Sequence, residues 1–292
     1  MLRERVADEI FVFTSELYLQ ATASAIITSE GVVVIDTLPF PQETREMLRF
    51  IEKRGKSRIR YVILTHYHPD HTYGACFVPG EVIGHERCRR ILDRNGERIL
   101  QADQARNPEL ADVRVRLPGT VFDRGTISLH VGKKTITLLH TPGHTTDSIS
   151  AYIKEDKILF AGDLIMPVPY IVGGDRDQMR ESLAKVADLG LDNIVQGHGD
   201  VLLRGEITET LDTSLKYLDA IETQVKQRIA KNMPKSSLHR LNIEHCHKSR
   251  IPLNGMVEEL HQANLSYLYD ILSSESETGA QVAAPDDRLL TI

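Results

Sequence analysis

His66-Tyr67-His68-Pro69-Asp70-His71 places four potential metal ligands within six residues, directly after the run Ile59 to Thr65. That run reads as a buried strand. His66 and His68 are two apart, so in extended backbone they project to the same side. Pro69 disfavours the α region for His68 and suits a first helical position, so the chain should stay extended through His68 and turn helical at Asp70. The turn re-aims Asp70 and His71 towards a second point beside the first. With 12 His in 292 residues, this pattern arises by accident about once in a thousand such chains.

Three distant residues extend the set. They are His144 in Thr141-Pro142-Gly143-His144-Thr145, Asp163 in Phe160-Ala161-Gly162-Asp163, and His198 in Gly197-His198-Gly199, each in a turn after an apolar run. Two ions need about six to eight donors, and a bridging carboxylate counts twice. Asp163 is the natural bridge. Imidazole and carboxylate suit zinc, and a site without thiolate also admits iron or manganese, so two zinc ions are expected with Fe or Mn as alternatives. A hydroxide shared by ions about 3.5–4 Å apart is a nucleophile at neutral pH, which is the chemistry of hydrolysis.

Around these turns, Ile10 to Thr14, Ser24 to Thr28 and Val32 to Asp36 read as a first meander, and a helix is expected from Pro41 to Gly55. Ile127 to Val131, Thr135 to His140, Ser148 to Ile153 and Lys157 to Phe160 give a second meander. Two such sheets suggest a sandwich with outer helices. His85 to Leu117 reads as an inserted helical arm, punctuated by Asn95-Gly96 and Asn107-Pro108. Asp177 to Leu189 is amphipathic, Ile194 to Val195 is a short strand, Gly205 to Lys231 one long helix and Gly255 to Leu272 another. The expected organisation is a domain over 1–232, a helical extension over 233–272 and a disordered polar tail over 273–292.

A net charge of −6 with 26% charged residues offers no basic excess for phosphate backbones, so nucleic acid is not expected. Cys76, Cys88 and Cys246 lie far apart without C-x-x-C spacing, arguing against a disulfide framework. The N-terminus lacks an apolar signal region and no run approaches a membrane span, so a cytoplasmic protein without membrane partners is expected.

Asp36 after its strand, the His66 to His71 cluster, His144, Asp163 and His198, in that order, resemble the metallo-β-lactamase superfamily. The resemblance implies a four-layer αββα sandwich (an α/β, or α+β, fold) with the site at one edge. It implies that His66, His68 and His144 hold one metal, that Asp70, His71 and His198 hold the second, that Asp163 holds both, and that Asp36 orients the loop behind them. Asp163 stands where similar zinc β-lactamases carry Cys, and Met166 where they place a carboxylate-binding Lys, which argues against efficient β-lactam turnover. Quorum-quenching lactonases often carry a catalytic Tyr at the Met166 position, four residues before Tyr170. The expected activity is hydrolysis of a lactone, thioester, ester or cyclic amide small molecule, with Asp70 as a catalytic group. The alternative is a one-iron persulfide dioxygenase-like enzyme using His66, His144 and Asp163.

Tyr67, Tyr73, Met166 and Tyr170 flank ligand-bearing turns and are candidate substrate-pocket residues, with the 85–117 arm and the 167–174 loop as walls. His85 reads as a helix cap or surface residue, His130 and His140 as structural, His245-Cys246-His247 as a surface cluster, and Gly173-Gly174-Asp175 as a flexible turn. The apolar stripe of the last two helices either packs on the sandwich or forms a homodimer interface.

Overall fold

The computed structural model describes residues 1–54 and 58–278. Two sheets face each other. The first contains seven strands in chain order: β1 (Leu2–Ala7), β2 (Ile10–Thr14), β3 (Thr22–Thr28), β4 (Gly31–Ile35), β5 (Ile59–Ile63), β6 (Glu81–His85) and β7 (Thr120–Phe122). Strands β1 to β4 pair antiparallel and β4 to β7 parallel. β1 was not anticipated, because its exposed, charged Leu2 to Arg5 stretch carries no core-facing alternation.

The second sheet has the order β13-β12-β11-β10-β9-β8. Its strands are β8 (Thr126–Val131), β9 (Lys134–His140), β10 (Ile149–Ile153), β11 (Ile158–Gly162), β12 (Asn193–Gln196) and β13 (Leu202–Leu203). β11 and β12 run parallel and the other pairs antiparallel.

Period-two alternation builds the layers. Val33 and Ile35 of β4 meet Ile158 and Phe160 of β11 in the core between the sheets. Val32 and Val34 face the opposite way, onto Met47 and Ile51 of α1 (Pro41–Arg54). Leu159 and Ala161 of β11 face α5 (Arg176–Ala187) and α6 (Arg204–Ala230) through Leu183, Val186, Leu218 and Ile221. The architecture is the expected α/β/β/α sandwich.

Helices α2 (Pro69–Thr72), α3 (Glu86–Ile91) and α4 (Glu97–Arg106) follow β5 and β6. The arm is helical as expected, but Asn95-Gly96 does not break it: Leu92–Gly96 forms a π-helical turn joining α3 to α4. The segment after α6 shares one core with the second sheet and α5, through Leu238, Leu241, Ile243, Leu253, Val257 and Leu265. The last helix among the described residues, α7 (Val257–Thr278), overruns the expected end at Leu272. Ser273 to Thr278 contain no Gly or Pro to stop it, and Ser274 Oγ bonds the Ile271 carbonyl at 2.7 Å. The rest of the expected disordered tail, 279–292, lies outside the described residues, as does Gly55, the expected stop of α1.

All the ligand-bearing turns fall at one end of the sandwich. Backbone hydrogen bonds stitch the sheets together there, from Ile149 N to Thr65 O at 2.8 Å and from Thr22 N to Gly197 O at 2.9 Å. The site is therefore built on two rigid sheets rather than on free loops.

Candidate metal centre

His68 is extended (φ −62°, ψ 146°) and α2 starts at Pro69, as the proline dictates. His66, His68, His144 and Asp163 converge so that one ligand atom from each lies within 4.8 Å of the others; Asp70, His71 and His198 form a second such group. All seven are buried, none more than 6% exposed. Either group could hold a metal ion.

The orientation of each imidazole has an identifiable cause. Four use Nδ1 to grip the scaffold: His66 on Thr65 Oγ1 at 3.0 Å, His71 on Asp36 Oδ2 at 3.0 Å, His144 on Tyr170 O at 2.9 Å, and His198 on Leu19 O at 2.9 Å. A ring whose Nδ1 is engaged outward turns its Nε2 inward, the orientation of metal-binding histidines. His68 is reversed. Its Nδ1 lies 2.9 Å from His66 Nε2 and 3.0 Å from His144 Nε2. Three ring nitrogens at a common point cannot all be satisfied by one another's protons. Around a tetrahedral ion with bonds of about 2.0–2.1 Å, neighbouring donors would be about 3.3 Å apart, close to this spacing.

Asp163 reaches both groups. Its Oδ2 lies 3.3 Å from His144 Nε2 and 3.4 Å from His198 Nε2, and its Oδ1 lies 3.2 Å from His71 Nε2. Asp70 Oδ2 is 3.1 Å from His198 Nε2 and 3.5 Å from His71 Nε2. Among the described residues, His71 Nε2 and Asp163 Oδ1 are buried side-chain atoms without a hydrogen-bond partner. A cation between them would satisfy both, so the residues present fit a metal.

Electrostatics divide the two groups. Burial holds the His66 imidazole well below its ordinary range and His68 down to about 3, so these rings are neutral and free to coordinate. Burial also pushes Asp163 upward, but His198, His71, His144 and His66 outweigh it and hold the carboxyl well below normal. Asp70 is likewise pushed up by burial, then carried down to about 2 by His71 and His198. Burial lowers His198, yet Asp163 and Asp70 overcome it and take the ring to about 10. Protons thus sit where a second cation would, and binding there would release them.

The four candidate pocket residues are nearly enclosed, at 3–5% exposure. Tyr73 donates its hydroxyl to Asp103 of α4 at 2.5 Å and packs with Leu100 and Leu110, so it anchors the arm. Tyr67 and Met166 are similarly buried. Tyr170 contributes its backbone carbonyl to His144, and its ring lies 5.9 Å from that imidazole. His85 is the N-cap of α3, accepting from Arg87 N at 3.1 Å, but it is buried, stacked on His140 at 4.2 Å. Of the His245-Cys246-His247 cluster, Cys246 is core. Gly173-Gly174-Asp175 is a packed strap rather than a flexible turn. A Cβ on Gly174 would lie 2.1 Å from Gly143 O and 2.3 Å from His144 O, and Asp175 caps α5.

One nearby residue escaped the sequence reading. Tyr18 lies in the Ser15 to Ala21 loop, whose Leu19 carbonyl holds His198. Burial and then the carboxylates of Asp70, Asp103 and Asp163 push its hydroxyl far up, which places it in the field of the centre. Its only sequence signal was an isolated aromatic in a loop.

Residues 18–198 match the family described as the metallo-beta-lactamase superfamily. The chain is 26% identical over 206 residues to the beta-lactamase-like protein 2 homolog of Caenorhabditis elegans, covering 68% of this chain and 62% of that protein. It is 27% identical over 195 residues to the hydroxyacylglutathione hydrolase of Rhodopseudomonas palustris, covering 66% and 68%. Among solved structures, the inverting sec-alkylsulfatase Pisa1 from Pseudomonas sp. superposes with a TM-score of 0.71 at 15% identity, covering 98% of this chain and 51% of that one. The matched span contains every ligand-bearing turn, from the loop that holds His198 to His198 itself, and the chain belongs to the metallo-beta-lactamase superfamily.

Proposed function

We propose that this protein is a hydrolase of carbonyl substrates, with a thioester or ester as the substrate class, working with two divalent metal ions. The observation that carries the proposal is the convergence of seven buried ligands, four of whose imidazoles are oriented by Nδ1 contacts to the scaffold. The similarity to a hydroxyacylglutathione hydrolase supports the choice of class.

His66, His68 and His144 would hold one ion, Asp70, His71 and His198 the other, and Asp163 both. Bound there, the ions would polarise the substrate carbonyl and lower the pKa of water towards about 7. Asp70, whose Oδ2 is 3.1 Å from His198 Nε2, would take the proton of the attacking water and pass it to the leaving group. Asp36 fixes the His71 tautomer from behind. The non-reacting part of the substrate would occupy the cleft of about 400 Å³ between Ser15 to Gln20 and Leu253 to Met256, which Tyr18 lines. Leu19, Gln20, Leu253 and Asn254 all have positive φ, and such strain gathers at functional sites. A larger cavity, about 900 Å³, opens by Arg58 and Ile59, at the end of β5 opposite His66.

Elemental analysis with a panel of nitrocefin, acyl-homoserine lactones, S-lactoylglutathione and p-nitrophenyl esters tests the reading. Two ions per chain and turnover of the thioester or esters are expected, with both lost in Asp163→Ala. A single iron with oxygen consumption would replace the hydrolase by the dioxygenase. A metal-loaded Asp163→Ala protein with undiminished rates would sink the proposal.

A further inference from the structure

The region after His198 lies beyond the matched family span, yet it reaches back to a ligand. The His144 ring is oriented by the Tyr170 carbonyl, and the peptide groups on either side of Tyr170 are gripped by one side chain of α7. Ile171 N donates to Asn264 Oδ1 at 2.9 Å, and Asn264 Nδ2 donates to Pro169 O at 2.7 Å. Pro169 has no N–H of its own to brace the loop. The carboxamide thus replaces the strand neighbour that this loop lacks.

The grip is defined at its far end too. Asn264 Nδ2 also donates to Tyr217 Oη at 3.0 Å, Tyr217 Oη lies 3.0 Å from His261 Nδ1, and His261 Nε2 lies 3.2 Å from Leu241 O. Asn264, Tyr217 and His261 are 0–1% exposed. A fully satisfied buried network permits one orientation of the amide, with Oδ1 towards Ile171 N–H and Nδ2 towards Pro169 O. Tyr267 Oη adds a second tie from α7, to Gly174 O at 3.1 Å. Gly174 is pressed against the backbone of Gly143 and His144, where even a methyl group would not fit.

The geometry points to Asn264 as a positioning residue for His144: through it the C-terminal helix sets the loop whose carbonyl aims that ligand. This inference rests on the metal-dependent reading above. Without the carboxamide, Ile171 N–H and Pro169 O are buried and unpaired, so the loop must move or admit water. Tyr170 O moves with it, and the His144 ring loses the contact that fixes its tautomer. The second group does not depend on this loop, because Asp36 and Leu19 orient His71 and His198.

A general loosening of the core would weaken both groups alike, so the test is selectivity. Zinc is titrated into the metal-free full chain against a chromophoric chelator, for wild type, Asn264→Ala and Tyr267→Phe, alongside imidazole ¹⁵N spectra of the metal-free proteins. Asn264→Ala is expected to weaken one of the two binding steps by about 10–100-fold and leave the other within about twofold. The His144 resonances should lose the single Nδ1–H tautomer. Tyr267→Phe, a milder change that keeps the ring, should shift the same step by about threefold or more. Equal weakening of both steps, or unchanged steps with an unchanged His144 tautomer, would overturn the inference. Wild type that binds no zinc would instead remove the metal reading beneath it.

Discussion

The carboxylate of Asp36 accepts both the backbone N–H and the hydroxyl of Thr65, at 2.7 and 2.6 Å, with one oxygen also 3.0 Å from His71 Nδ1. The same Thr65 hydroxyl stands 3.0 Å from His66 Nδ1, so it donates to Asp36 and accepts from the ring. One acidic side chain therefore fixes candidate ligands in both groups. Asp36 does this from a left-handed backbone conformation (φ 54°), at a cost that the three contacts offset.

Asp36→Asn should accordingly be more than a charge neutralisation. Asn tolerates the backbone, but its Nδ2 hydrogens would face a hydroxyl and a ring N–H that both need an acceptor. Zinc affinity should fall by about 10–100-fold, and chelator competition measures it. A variant of wild-type affinity would mean that Asp36 does not govern the ligands.

Tyr18→Phe separates substrate handling from metal binding. The hydroxyl lies in the field of Asp70 and Asp163, on a loop lining the cleft, and none of the seven ligands hydrogen-bonds to it. Metal content should stay at the wild-type level while kcat/KM drops by about tenfold, or about 1.4 kcal/mol of transition-state stabilisation. Unchanged kinetics on every substrate that the wild type turns over would exclude Tyr18 from the reaction.

The sandwich and the seven converging residues were legible because each ligand sits at the end of an apolar strand, where a period-two pattern reports both element and position. The rest was hidden for reasons of distance and direction. Asn264 and Ile171 are 93 residues apart, and no local pattern links a helix asparagine to a loop amide. Tyr67, Tyr73, Met166 and Tyr170 follow ligand-bearing turns in sequence, but they are as buried as the converging residues themselves, and nearness along the chain does not say what each side chain packs against. Nor does composition reveal whether a polar stretch such as Ser273 to Thr278 frays or prolongs a helix.

Gly197 gives a steric test of Asp163. A Cβ at this position would lie 1.9 Å from Asp163 Oδ1, and the backbone cannot retreat, because Gly197 N bonds Gly162 O and Gly197 O accepts from Thr22 N, both at 2.9 Å. Gly197→Ala should displace the carboxylate by about an ångström, costing about a hundredfold or more in kcat together with measurable metal. Full activity in a folded Gly197→Ala protein would show that Asp163 need not occupy this position.

Lys248, whose hydrogen-bond partners include none of the candidate metal ligands, offers a pH test. It is 7% exposed and donates to Ser214 Oγ at 2.9 Å and Thr213 Oγ1 at 3.2 Å, with no carboxylate among these partners. Burial lowers its ammonium from 10.5 to about 8. Between those values the unfolded chain binds more protons than the folded one, so this group makes stability rise with pH from about 8 to 10.5. Below 8 the full penalty applies, roughly 3 kcal/mol. Lys248→Met keeps the stem, and both hydroxyls retain their bonds to Thr210 O. The variant should therefore be more stable than wild type in urea at pH 7, by up to that amount, and the gap should close as pH rises past 10. A gap that is absent at pH 7, or that does not change with pH, would show that Lys248 is not held as a strained buried cation.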